Sequence, residues 1–213
     1  MIPTTATWAR REVVNAGMMN ARVRDPHRFL YRPPSCWVTA RQRGTHKDST
    51  VNWAPADALA PGKLTGWATF AWYLPGQGLQ PDTEFDTAKL ALPDATAAGT
   101  PYSTRLGAPE DGRYSVVFGG VIDVPGTAPL NMHVKLGKNI TADSMWTDDS
   151  HVLASSSPGR SNASRGYGSI TATVRLKKGE SVSAAGITDQ PFLLGNKTLP
   201  GRSFFSMRWA GRY

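Results

Sequence analysis

Gly112-Arg113-Tyr114-Ser115-Val116-Val117-Phe118-Gly119-Gly120-Val121-Ile122-Asp123-Val124 is the stretch on which the fold turns. Side chains of a strand alternate between its two faces. On that period Tyr114, Val116 and Phe118 share one face, and Val117 and Val121 share the other. Apolar residues on both sides predict a strand covered on both. Gly119-Gly120 predicts a bulge or a close approach by another backbone.

Reading outward, short β-prone runs recur on either side. Residues 132–136, 170–176 and 181–186 read as strands, with Lys177-Lys178-Gly179-Glu180 as the turn joining the last two. Residues 204–209 close the chain as another. Upstream, residues 37–42 and 49–53 read as a hairpin across 44–48. Residues 64–73 are dense in aromatics. Trp67, Phe70, Trp72 and Tyr73 are expected as core, or as a contact patch for a receptor or glycan. Long amphipathic helices are missing between these runs, and no internal repeat is evident. The pattern predicts an all-β antiparallel sandwich and argues against an α/β fold.

Residues 1–34 differ. Trp8, Met19, Val23, Phe29 and Leu30 are scattered among turn formers, and Arg10, Arg11, Arg22, Arg24, Arg28 and Arg32 crowd the same segment. Asn20 is placed to cap a short helix through residues 21–24, which Pro26 would stop. So few apolar residues cannot form a core alone. We expect a docking arm with short helical turns at 1–34, packing on its own domain, a sister subunit or a partner, followed by the β domain at 35–213.

Composition fits one sizeable domain. Of 213 residues, 40% are hydrophobic and 19% charged, enough for a packed core. The net charge of +8 favours an acidic partner. No Lys/Arg run interleaves with aromatics in an RNA-binding pattern, so nucleic acid is not expected. Cys36 stands alone, which rules out an intrachain disulfide or a cysteine pair for metal. No apolar run approaches the roughly 20 residues of a membrane helix, and the start does not read as a signal peptide. Synthesis in the cytoplasm without membrane insertion is the expectation.

Chemistry is not signalled. His27, His46, His133 and His151 lack metal-ligand spacing. Cys36 has no local base, and neither a nucleophile elbow nor a phosphate loop occurs. Asp82, Glu84 and Asp86, and separately Asp148 and Asp149, read as solvated loop acids rather than calcium ligands. We expect no enzyme, no metal and no cofactor.

The order of landmarks over residues 112–212 resembles tumour-necrosis-factor-like and complement-like jelly-roll domains. A Gly-x-Tyr strand, a Lys/Asn strand end at Gly137-Lys138-Asn139, a Ser/Gly-rich loop, a Val-Arg-Leu strand, a tight turn and a Phe-Phe-Ser strand follow one another. The turn is Gly179-Glu180 where that family usually has Gly-Asp. The opening is similar to that of minor tail proteins of actinobacterial tailed phages. It carries Trp8, Met19-Asn20, Val23-Arg24-Asp25, Phe29-Leu30 and Pro33-Pro34 in order. Val51-Asn52-Trp53, Glu84-Phe85-Asp86-Thr87 and the terminal Arg208-Trp209-Ala210-Gly211 add to the likeness. The resemblance implies a virion structural protein: a trimeric jelly roll anchored by an arm centred on Trp8, Met19, Val23, Arg24, Phe29 and Leu30. Tyr114, Val116, Phe118, Phe204 and Phe205 are expected in the core or at the threefold contact. Expected partners are other copies of the chain, virion proteins of tail or capsid, and a host-surface glycan. A capsid decoration or head-fibre protein, or a receptor-binding module, is the alternative.

Overall fold

The computed structural model describes residues 15–20, 23, 33–39, 51–53, 67–75, 85–94, 102–123, 132–157, 165–188, 192–194 and 203–212. Strands dominate them, and every strand pairing is antiparallel. One sheet holds β1 (Ser35–Thr39), β2 (Val51–Trp53), β5 (Phe85–Asp86), β8 (Gly112–Asp123), β11 (Arg165–Leu176), β13 (Phe192–Leu194) and β14 (Phe204–Gly211). The other holds β3 (Ala68–Thr69), β4 (Trp72–Tyr73), β6 (Ala91–Asp94), β7 (Tyr102–Gly107), β9 (Met132–Lys138), β10 (Val152–Ser156) and β12 (Ser181–Thr188).

Eight of these strands make the body: β1, β7, β8, β9, β10, β11, β12 and β14. Numbered one to eight in chain order, they run 1-8-3-6 in the first sheet and 2-7-4-5 in the second. That order is a jelly roll, two Greek keys closed into a double sheet. The fold is therefore the all-β antiparallel sandwich that the strand pattern predicts, with a short helical turn near its N-terminus.

Register explains the core. Across the first sheet Val38, Phe205, Phe118 and Ile170 stand in one row, and Cys36, Met207, Val116 and Ala172 in the next. Both rows point inward and all but Ala172 are buried. Val134, Leu136, Val182, Ala184 and Leu106 belong to the same core from the second sheet. Phe70 and Trp72 tie the layers together. Trp72 stacks on Phe205 with ring centres 5.3 Å apart, and Phe70 on Phe118 at 5.2 Å. Such pairs add about 0.5–1.5 kcal/mol each beyond the area they bury. Tyr114 is buried among them, and its hydroxyl donates to the Glu110 carbonyl at 2.7 Å.

The turn after β11 forms where expected. Gly179 adopts φ +86, which a side chain would resist, and the Glu180 N–H donates to the Lys177 carbonyl. Glu180 closes the turn by accepting from the Lys177 N–H at 2.7 Å, and it pairs with Lys138 at 2.8 Å. Burial opposes ionisation of Glu180, but the Lys138 ammonium and the Lys177 N–H outweigh it and hold the carboxyl below its usual range.

Several local expectations need correction. β1 and β2 do not form a hairpin: β1 lies between β14 and β5, while β2 pairs with β13. Distant pairing puts Cys36 and Val38 into the central rows, which a local hairpin would not. The described helix, Ala16–Met19, is an addition to the expected one: Asn15 Oδ1 accepts the Met18 N–H at 2.9 Å and Asn20 is its C-cap, while residues 21, 22 and 24 of the expected helix lie outside the described residues. The paired ladder of β8 and β11 runs through Gly119-Gly120 without a bulge. The close neighbour of Gly119 is a side chain instead, since a Cβ there would meet the Phe204 ring at 2.6 Å. Finally, the Ser/Gly-rich stretch expected as a loop also holds β10, two 3-10 turns and the first residues of β11.

Candidate interaction surfaces

No catalytic centre assembles among the described residues. No group of three or more His, Cys, Asp or Glu is placed to hold a metal ion there. Cys36 is buried. His133 Nδ1 of β9 meets Ser157 Oγ, just past the end of β10, at 2.5 Å. His151 lies against the Lys138 carbonyl and Asp148. Asp86 is spent on its own backbone, accepting N–H groups of Ala88, Leu90 and Ala91. Asp148 caps a 3-10 turn through the Ser150 N–H, and Asp149 reaches Lys135 at 3.8 Å. His27, His46, Asp82 and Glu84 lie outside the described residues.

The aromatic run divides by face. Phe70 and Trp72 point inward and are fully buried, so the four candidate contact residues do not form one surface patch. Trp67 lies on the opposite side, 6.4 Å from Trp146 and beneath the Lys135 ammonium at 4.6 Å. Tyr73 is half-buried. Trp146 belongs to a 3-10 turn, Asp143–Thr147, laid over the outside of the second sheet. Its indole N–H donates to Thr69 Oγ1 at 2.8 Å, and its carbonyl accepts from Lys135. With Ile140, Trp67 and Met145 it covers Ala185 of β12. The chain thus caps this outer face itself.

The outer face of the first sheet has another character. One outward row runs Thr171, Val117, Ser206, Trp37, Phe85 from β11 to β5. Val117 and Trp37 are half-buried, and Phe85 is 45% exposed. Phe204, one row on, stacks against Trp37 with ring centres 5.6 Å apart. Tyr167 of β11 is 59% exposed. Of the residues expected at core or oligomer contact, Tyr114, Val116, Phe118 and Phe205 are fully buried in one chain, while Phe204 alone is on this outer face. Consecutive Phe204 and Phe205 must face opposite ways in a strand.

At the β5 edge of that face lies a groove of about 380 Å³. Pro33, Trp37 and Phe85 give it apolar walls; Ser35, Thr87 and Ser206 bring hydroxyls; Arg208 also lines it. Sequence reading missed this site because its residues come from three separated segments. The period-two alternation of β1 and β14, which puts Trp37 and Arg208 on the face opposite Val38 and Phe205, was the usable signal.

Two described residues of the docking arm are placed. Met19 is 44% exposed and Val23 38%, and helix Ala16–Met19 buries no residue. Trp8, Arg24, Phe29 and Leu30 lie outside the described residues, as do the six arginines of the segment.

No family model matches the chain, and no curated protein matches it. Among solved structures, an Eiger TNF from S. frugiperda is similar with a TM-score of 0.47 and 12% identity, over 84% of this chain and 94% of that chain. That similarity is loose, and the jelly-roll assignment rests on the strand order described above. No described helix is long and apolar enough to cross a membrane.

Proposed function

We propose that the chain is a non-enzymatic structural protein of a tailed-phage particle, a minor tail protein whose N-terminal arm docks onto a neighbouring virion protein while the jelly roll projects as a homotrimer. The observation that carries this reading is the contrast between arm and domain. The jelly roll buries its own core and caps one outer face, whereas Met19 and Val23 remain exposed on their own chain. Apolar side chains left outside a well-built core suit a segment whose binding site is on another molecule. The outer face of the first sheet, with Phe204, Val117 and Tyr167, supplies the contact between copies. The phage assignment comes from the ordered landmarks of the opening and the closing Arg208-Trp209-Ala210-Gly211.

The reading is tested by substituting Met19→Ser and Val23→Ser together in the phage and weighing the protein in purified particles. Incorporation is expected to fall at least tenfold, with the melting temperature of the isolated protein unchanged within about 2 °C, since the two side chains bury little in their own chain. Particles that retain the variant in full overturn the docking role. A density map of the particle with the protein in the capsid lattice would replace the tail assignment with a decoration protein.

A further inference from the structure

We propose that the groove at the β5 edge of the first sheet is a docking site for an acidic segment of a partner protein, one that sets an apolar side chain beside carboxylates. The groove offers an apolar wall in Trp37 and the exposed Phe85, a hydroxyl in Ser206, and one guanidinium in Arg208, while the Thr87 hydroxyl is spent on the Ser35 backbone. Positive charge continues beyond it. Arg208 is opposite Ser115, so Arg113 is its diagonal neighbour on the same face, and diagonal neighbours lie roughly 7–8 Å apart. Arg175 stands directly across from Arg113. All three are exposed. Among the described residues no carboxylate forms an ion pair with Arg113 or Arg208. Guanidinium groups bind carboxylates through paired hydrogen bonds, stronger than neutral ones.

Charge selects the occupant. A second copy meeting this groove about a twofold axis would set Arg208 against Arg208, which like-charge repulsion opposes, and the threefold contact proposed above is centred on Phe204, Val117 and Tyr167 instead. An acidic segment neutralises Arg208 and Arg113, and its apolar residue fills the space beside Trp37 and Phe85. Neither the phage assignment nor the trimer is needed for this inference.

The test is fluorescence polarisation of the full chain with a short labelled peptide holding one phenylalanine between glutamates. A glutamine analogue, a short oligothymidylate and the variants Arg208→Ser, Phe85→Ser and Lys178→Ser complete the set. Lys178 is exposed on the turn after β11, outside the groove. The glutamate peptide is expected to bind, and the glutamine analogue to bind at least about tenfold more weakly, from the loss of charge-assisted hydrogen bonds. Arg208→Ser and Phe85→Ser should each weaken binding by about tenfold, and Lys178→Ser by less than about twofold. Equal losses from Arg208→Ser and Lys178→Ser would mean general attraction to a basic protein and overturn the site. So would tighter binding of the oligothymidylate through the same residues, a change of oligomeric state in Arg208→Ser, or no peptide binding at all. Circular dichroism of each variant confirms that it is folded.

Discussion

At Gly119 a Cβ would meet the far edge of the half-exposed Phe204 ring, so a side chain fits there only if that ring shifts. Gly119→Ala should therefore cost about 0.5–1.5 kcal/mol in urea unfolding, the usual cost of a side chain pushed off its rotamer. Shortening the neighbour relieves the clash, so the double variant Gly119→Ala, Phe204→Ala should lose less than the sum of the two single losses. Strict additivity would mean that the two residues do not touch. Tyr114 gives a second reading at this scale. Burial pushes its phenol up from 10.0 to about 12. Below pH 10 the phenol is protonated in both folded and unfolded chains, and its contribution to stability is fully present. As pH rises from 10 towards about 12 the unfolded chain releases the proton first, so that contribution is lost. Urea titrations should show this alkaline decline of about 1–3 kcal/mol in the native protein, and a shallower one in Tyr114→Phe.

Among the elements, the 3-10 turn that carries Trp146 decides which outer face is free. Trp146→Phe removes the N–H bonded to buried Thr69 and should cost about 1–2 kcal/mol. Trp146→Ala also empties the space under the turn and should cost about 3–5 kcal/mol. Equal stability of all three proteins would show that the turn does not hold the second sheet's outer face. The sequence marks this element poorly. A short stretch rich in Ser and Asp reads as loop, and nothing nearby in the chain announces that Trp146 will find Thr69, 77 residues away. The long strands were legible for the opposite reason: β8 and β11 alternate or run apolar over their length, so their own residues specify which side is covered. The short strands β5, β6 and β13 have two to four residues each and carry too little periodicity to register. Helix Ala16–Met19 was not read from the sequence, because Asn15 and Asn20 are equally good caps and only the chain path distinguishes them.

For the whole molecule, antiparallel alternation was enough to state the sandwich, and the order 1-8-3-6 over 2-7-4-5 follows from pairings that no local signal fixes. β1 meets β14 across most of the chain, which is why a plausible local hairpin gave way. The groove was invisible for the same reason, since Trp37, Phe85 and Arg208 become neighbours only after those distant strands close. The residues of the aromatic run were visible, but their division between core and lid depended on which sheet they joined. The division of labour between a self-sufficient jelly roll and a leader that serves another molecule is the claim on which the proposed function depends. Calorimetric unfolding of a chain beginning at Pro33, compared with the full chain, tests it most directly. A self-sufficient jelly roll gives one cooperative transition within about 3 °C of the full-length value, a difference of roughly 1 kcal/mol or less. A transition lowered by about 10 °C or more would contradict it, because the leader would then be part of the domain's own core.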